Sequence, residues 1–297
     1  TPTDMPRLGP RNLTQLILVP PVFGWLIGDE GLLMMTGDAG QTWGMTPGPL
    51  PEDAAEFDFR AISVRGTHCW VAGDPGTRVF HSPDAGRTWE VFSTDHTAPL
   101  QGLCFVDEKS GWAVGDFGTI LRTEDGGRTW QRLGGGGTRA ALLGIFSGPS
   151  RVPLELLAQL CAEEGYLGVV ETLTSGEEGA KTADHTSAED RLHEAVVGAG
   201  GTGSAVATRF PVLDDAARMD AERIVQRWNA ANDGRAMDLL QARLVRRIRT
   251  WRPSVVITHD ASPRGDYPFD HLINQAVLAA IHAAADPTAF ATQITQG

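Results

Sequence analysis

The sequence predicts a multidomain β + α/β protein, in which a partial β-propeller of about three blades is followed by an α/β domain. Three observations carry this. An eight-residue pattern occurs three times in the first 130 residues, as Thr36-Gly-Asp-Ala-Gly-Gln-Thr-Trp43, Ser82-Pro-Asp-Ala-Gly-Arg-Thr-Trp89 and Thr123-Glu-Asp-Gly-Gly-Arg-Thr-Trp130. Each copy follows a second shared phrase, Trp25-Leu-Ile-Gly-Asp29, Trp70-Val-Ala-Gly-Asp74 and Trp112-Ala-Val-Gly-Asp116, whose tryptophans stand 45 and 42 residues apart. That period suits a propeller blade rather than a helical solenoid. After the run Gly134-Gly-Gly-Gly137 the composition shifts to Ala, Leu, Glu and Arg with helical periodicity.

Within each repeat an alternating apolar run, a glycine turn, a second short strand and a turn closed by Asp and Gly follow one another, so hairpin succeeds hairpin and a four-stranded blade is expected. The pattern Ser/Thr-x-Asp-x-Gly-x-Thr-Trp resembles the Asp-box of sialidase-like and sortilin-like propellers. The resemblance implies that Asp38, Asp84 and Asp125 accept bonds from their own turns, that the Gly takes a positive φ, and that Trp43, Trp89 and Trp130 pack between blades. These aspartates then read as turn-formers, not as catalytic carboxylates or calcium ligands. A sialidase would also need a Tyr nucleophile, and no Tyr precedes residue 139. The repeats look most like the family of the photosystem II assembly and stability factor, whose members are binding platforms rather than enzymes. Propellers usually close with about four to eight blades, so three imply further blades elsewhere or another cap on the open sheet. The chain begins at Thr1 and ends in Gln296-Gly297, which fits processing or truncation at either end.

A length of 297 residues is enough for two cores. The formal charge of −12 argues against nucleic acid and fits protein partners. No apolar run approaches the ~20 residues that span a bilayer. Cys69, Cys104 and Cys161 show no metal-ligand spacing. The first two fall in blade strands and are expected to be buried, with a single disulfide between them open in an oxidising compartment.

Residues 1–133 are thus assigned to the propeller repeats, 134–139 to a glycine-rich linker and 140–297 to the second domain. There, Leu142–Phe146 reads as a buried strand, Val152–Gly165 as an amphipathic helix with Leu154, Leu157, Leu160 and Cys161 on one face, and Leu167–Leu173 as a second strand. This β-α-β order implies a parallel sheet. A helix opened by Ser187-Ala-Glu-Asp190, a loose capping box, follows. Helical stretches over 214–251, a strand over 254–258 and a helix over 270–285 complete the chain.

Four phrases in order, Thr172-Leu-Thr-Ser-Gly-Glu-Glu-Gly179, Arg191-x-x-Glu194-Ala195, Arg252-Pro-x-Val-Val-Ile-Thr-His259 and Asp270-His271, resemble the LmbE-like (PIG-L) N-acetylglucosaminyl deacetylases over residues 140–286. The resemblance implies a Rossmann-like fold and zinc-dependent hydrolysis of N-acetyl sugars. In that family a His-Pro-Asp-Asp-Glu motif after the first strand supplies metal ligands and the base. Here the corresponding loop is Ser147-Gly-Pro-Ser-Arg151, which holds no carboxylate or imidazole and sets Arg151 where a cation would sit. The second family motif, Gly-His-Pro-Asp-His, survives as Asp266-Tyr-Pro-Phe-Asp-His271, with His271 matching the remaining ligand.

A rebuilt metal site would draw on His259, Asp260, Asp266, Asp270 and His271, with His271, His259 and Asp270 as ligands and Asp270 or His259 as catalytic groups. Otherwise Asp260 and Asp270 cap turns or helix starts, and the histidines are core or rim residues. His185 and His193 read as surface residues, and Glu177 and Glu178 as solvated. The reading is a non-catalytic structural or assembly subunit of a larger bacterial complex, photosynthetic or membrane-associated. It binds other protein subunits through its blades, lies periplasmic or peripheral to a membrane complex, and has no cofactor. The alternative is a zinc-dependent N-acetyl-sugar deacetylase with a glycan-binding propeller; a carbohydrate-binding protein without a partner complex is a third reading.

Overall fold

The computed structural model describes residues 11–134, 141–174, 187–207, 210, 221–262 and 267–295. The chain divides into two compact units, Thr1–Thr138 with Thr292–Gly297, and Arg139–Ala291. Of the expected linker, only Gly134 is described, at the end of a strand.

The first unit contains three antiparallel sheets of four strands each. They are β1–β4 (Leu13–Val19, Phe23–Gly28, Leu33–Thr36, Gly44–Met45), β5–β8 (Asp58–Arg65, His68–Asp74, Arg78–Ser82, Glu90–Ser93) and β9–β12 (Leu100–Phe105, Gly111–Gly115, Thr119–Thr123, Gln131–Gly134). Each sheet is a meander in which every strand pairs with the next, the arrangement of a propeller blade. Burial follows position. In β6 of the middle blade every residue from Cys69 to Asp74 is buried, because both faces are covered. In β10 buried and less buried residues alternate, because one face is not. Trp25, Ile27, Phe57, Phe59, Val71 and Phe80 fill the space between the first two blades. Trp70, Val79, Leu100, Phe105, Ala113 and Leu121 fill that between the second and third.

Cys69 is buried as expected, whereas Cys104 is exposed, and both are free thiols. The difference is one of facing. Cys104 stands opposite Trp112 on the face of the third blade that points away from the second.

The second unit holds a sheet of four parallel strands, β13 (Leu142–Phe146), β14 (Gly168–Thr172), β15 (Gly203–Val206) and β16 (Val255–Ile257), in the order β15-β14-β13-β16. The strands β13 and β14 are buried throughout, as strands covered on both faces are. The expected helix after β13 is shorter and partly of another kind: α1 (Leu154–Leu157) runs into a π-helical stretch, Ala158–Glu163. Leu157 and Cys161 are buried while Leu154 is exposed.

The helix α2 (Ala188–Gly198) opens with the capping box, in which Ser187 and Asp190 each bond the other's backbone amide. The helices α3 (Ala221–Ala231), α4 (Ala236–Trp251) and α5 (Pro268–Ala285) follow, with a short α6 (Thr292–Thr295) last. One carboxylate interrupts the apolar sheet. Glu171 of β14 is 1% exposed and pairs with Arg243 at 2.8 Å and with Arg247 at 2.5 Å, both from α4.

Candidate functional site

The three boxes form one hydrogen-bonded turn three times over. In the first, Asp38 accepts from the Thr42 amide at 2.8 Å, from the Thr42 hydroxyl at 2.6 Å and from the Thr36 hydroxyl at 2.7 Å, while Thr36 Oγ1 accepts from the Gly40 amide at 3.0 Å. Asp84 takes the same bonds from Thr88 and Ser82, and Asp125 from Thr129 and Thr123. The glycines at Gly40, Gly86 and Gly127 have φ of 87°, 81° and 93°, a conformation that a side chain would strain. Trp89 meets Trp25 of the first blade edge-on at 6.5 Å, and Trp130 meets Phe105 at 6.0 Å while donating to the Gly127 carbonyl. Trp43 is half-buried beside Gly40.

These bonds hold the Asp38 carboxyl down from 3.8 to about 2, the Thr42 hydroxyl being the largest cause. Asp84 is lowered chiefly by the Thr88 amide. At Asp125 burial pushes upward, and the Thr129 and Thr123 bonds outweigh it, so its carboxyl is also lowered. A carboxyl lowered in the folded state stabilises the fold above its unfolded pKa, and the contribution is lost as pH falls through the folded value. The carboxyls' contribution to the thermal midpoint of the blade unit is therefore expected to hold from neutrality to about pH 4 and to fall between about pH 4 and pH 2. Scanning calorimetry across that range checks it, and Asp38→Asn is expected to flatten the fall.

A second cluster lies in the other unit, where the order of the parallel strands reverses between β13 and β16. Open α/β sheets place ligands outside the C-terminal ends of strands at such a point. Ser147 directly follows β13, and its amide donates to Nε2 of His259, just beyond β16, at 2.8 Å. The Ser147 hydroxyl donates to Asp270 Oδ1 at 2.5 Å, and His259 Nε2 lies 3.6 Å from that same oxygen. On the other side Arg151 Nε lies 3.7 Å from Asp270 Oδ2, and the guanidinium sits 3.6 Å from the centre of the Tyr267 ring. Asn274 donates to the His259 carbonyl at 2.6 Å, and Thr174 donates to that of Ser147 at 2.8 Å. Burial lowers the pKa of His259, with Arg151 adding to the effect and Asp270 opposing it. The imidazole is therefore neutral near pH 7, with Nε2 as acceptor.

Fold and sequence order thus bring together Ser147, Arg151, His259 and Asp270. Asp270 does not cap the start of α5, since its carboxylate turns to Ser147 and Arg151. Asp260 accepts from the Ser262 amide in a turn. No hydrogen bond among the described residues joins His271 to the cluster, and its Nδ1 is buried without a partner. His193 is exposed. Asp266, Glu177, Glu178 and His185 lie outside the described residues. Among the described residues no group of three or more His, Cys, Asp or Glu is placed to hold a metal ion, and no helix is long and apolar enough to cross a membrane.

Two features escape a reading of the sequence. His68 Nδ1 and His81 Nε2 are 3.0 Å apart, and both rings stack with Trp70. Only the pairing of β6 with β7 brings them together. An open groove of about 590 Å³ is lined by Arg65, Gly66, Asp107, Glu108, Lys109, Ser110 and Glu124, from the hairpin tips and box of adjacent blades.

Residues 11–101, the first two blades, match the family described as photosynthesis system II assembly factor YCF48. The photosystem II assembly lipoprotein Ycf48 of Synechococcus sp. (strain CC9902) is 30% identical over 124 residues, covering 40% of this chain and 36% of that protein. The chain therefore spans about a third of the length of this relative. Among solved structures, "YCF48 bound to D1 peptide" is similar with a TM-score of 0.40 and 26% identity, over 46% of this chain and 45% of that one. N,N'-diacetylchitobiose deacetylase from Pyrococcus horikoshii is a more distant likeness, with a TM-score of 0.36 and 14% identity over 53% and 55% of the two chains.

Proposed function

We propose that this chain is a non-catalytic structural or assembly subunit of a larger bacterial protein complex, photosynthetic or membrane-associated, which holds other protein subunits through its blades. The observation that carries the reading is the match of the first two blades to a family of photosystem II assembly factors. The relative's designation as a lipoprotein supports a place outside the cytoplasm, at a membrane surface. In the blades, the box carboxylates are engaged in their own turns.

The same proposal takes residues 140–286 as a degenerate LmbE-like domain of Rossmann type. A hydrolytic zinc needs several free N or O ligands around an open position. The residues at the sheet reversal do not fit that need. The Nε2 lone pair of His259 receives a backbone amide, and Asp270 is engaged by the Ser147 hydroxyl on one oxygen and faces Arg151 with the other. The guanidinium supplies the positive charge that balances this carboxylate.

Two measurements test the proposal. The tagged chain, expressed in a phototrophic bacterial host, is expected to comigrate with pigment-protein assembly intermediates on native gels. The purified chain is expected to hold far less than one zinc per molecule and to release no acetate from N-acetylglucosamine substrates. Stoichiometric zinc with turnover, and no comigration, would favour the deacetylase reading instead.

A further inference from the structure

The two joints between the blades are built alike but differ in one kind of group. At the second, Trp70 of β6 stacks on Phe105 at 3.9 Å and donates to the Gly126 carbonyl of the third box at 2.8 Å. At the first, Trp25 of β2 stands against Trp89 and the box glycine Gly86. In both, an inner-strand amide donates to a side chain of the preceding blade, Phe105 to Ser63 Oγ at 2.9 Å and Ile62 to Gln15 Oε1 at 3.0 Å. Residues 1–138 contain three histidines, His68, His81 and His96. All three fall at the second joint.

His68 and His81 stack on Trp70 at 5.5 and 5.0 Å, and His68 Nδ1 lies 3.0 Å from His81 Nε2. A gap of that length holds one hydrogen, so one nitrogen donates and the other accepts. The outer nitrogens face carboxylates, Glu108 of the turn between β9 and β10 at 3.8 Å from His68 and Glu90 of β8 at 3.6 Å from His81; Arg128 of the third box lies 3.6 Å from Glu90. One proton added to the pair has a carboxylate to offset it. A second sets hydrogens on both facing nitrogens and drives the rings apart. His81 is only 4% exposed and lies against Trp70, so rings that part disturb the residue that closes the joint.

His96 lies on the connection between the same two blades and is 6% exposed. Thr119 of β11 directs its hydroxyl hydrogen to the Asp116 carbonyl at 2.7 Å, so its oxygen accepts from His96 Nε2 at 2.8 Å. Burial lowers the pKa of both His81 and His96 from the ordinary 6.5. His68 and Arg128 add to the effect at His81 while Glu90 opposes it, and Arg132 of β12 adds to it at His96. At the places of His68 and His81, the first blade carries Phe23 and Met35, which do not titrate.

We propose that the joint between the second and third blades is an acid-operated hinge, closed by neutral His81 and His96 and opened when both take protons, while the first joint stays shut. A histidine whose pKa is lowered by closure favours the closed state above its ordinary value, so closure weakens as pH falls below about 6.5. Each proton taken up on opening raises the open fraction by up to about tenfold per pH unit. The box carboxylates titrate only below about pH 4 and take no part. The joint lies wholly within the chain, so its opening stands apart from the assembly role.

Amide hydrogen exchange of the full-length chain reads both joints at once. After correction for intrinsic exchange, protection of the Phe105 amide is expected to fall by about tenfold or more between about pH 7.5 and pH 5.5, and that of the Ile62 amide to hold. The double variant His81→Met with His96→Gln is expected to keep Phe105 protected at the lower pH, since Met repeats the first blade and Gln retains a donor for Thr119. Equal protection of Phe105 at both pH values overturns the proposal. So does an equal loss at Ile62, which would mean that the whole unit loosens; both of these outcomes need only the unmodified chain. A loss at Phe105 that persists in the double variant overturns it too, because the titrating group would then lie elsewhere.

Discussion

Replacement of Trp70 by alanine is expected to destabilise the blade unit by about 3–5 kcal/mol, the cost of truncating a large aromatic side chain in a core. Trp70 is fully buried at the joint between the second and third blades. Four contacts end together: the stack on Phe105 at 3.9 Å, the stacks on His81 at 5.0 Å and on His68 at 5.5 Å, and the indole bond to the Gly126 carbonyl. The cavity would lie between two sheets rather than at a surface, so collapse to fill it would require one blade to move against its neighbour. Urea unfolding followed by far-ultraviolet circular dichroism measures the change. A loss below about 1 kcal/mol would show that the joint does not depend on this residue. By the same reasoning, Trp112→Ala is expected to cost far less, because Trp112 is only half-buried.

In the second unit the largest effect is expected at Glu171. Glu171→Ala removes the carboxylate between Arg243 and Arg247, and Arg247 is only 2% exposed. Removal of one partner of a buried ion pair costs about 3–5 kcal/mol, because the remaining charges lose this carboxylate without regaining water. Replacement of the group by apolar side chains of similar volume, Glu171→Leu with Arg243→Met and Arg247→Met, is expected to recover most of that loss. Equilibrium unfolding of the single and triple variants checks the pair of statements. Equal destabilisation in both would mean that the arginines are held chiefly by contacts other than Glu171.

The legible parts of this protein are those whose causes lie close together in sequence. Each box closes within eight residues, and the acceptor atoms of Asp38, Asp84 and Asp125 meet donors four positions away. The capping box at Ser187 and Asp190 spans three positions. Blade strands follow from alternation and a repeated turn, and the parallel sheet follows from the order of strand and helix. Facing was harder to read. Cys69 and Cys104 occupy similar apolar strands, yet one is buried and the other exposed, because exposure depends on whether a neighbouring sheet covers that side. Likewise Leu154 and Leu157 are three positions apart on the helix after β13, yet only Leu157 is buried.

The candidate site at the sheet reversal shows the same division. Ser147, Arg151, Asp270 and His271 are visible in the sequence as separate residues. The ties among them belong to the fold. Ser147 meets Asp270 across 123 positions, and its amide meets His259 across 112, because β13 and β16 lie side by side with their ends together. Three blades, their boxes and a following α/β unit are legible in the chain's residues alone, since hydrogen bonds within a turn and the period of a strand are local. That Trp25 and Trp70 are buried while Trp112 is half-exposed comes from the folded packing, although the phrases around them are alike. A tryptophan on a blade is covered by its neighbour, and whether a neighbour is there is not written in the repeat.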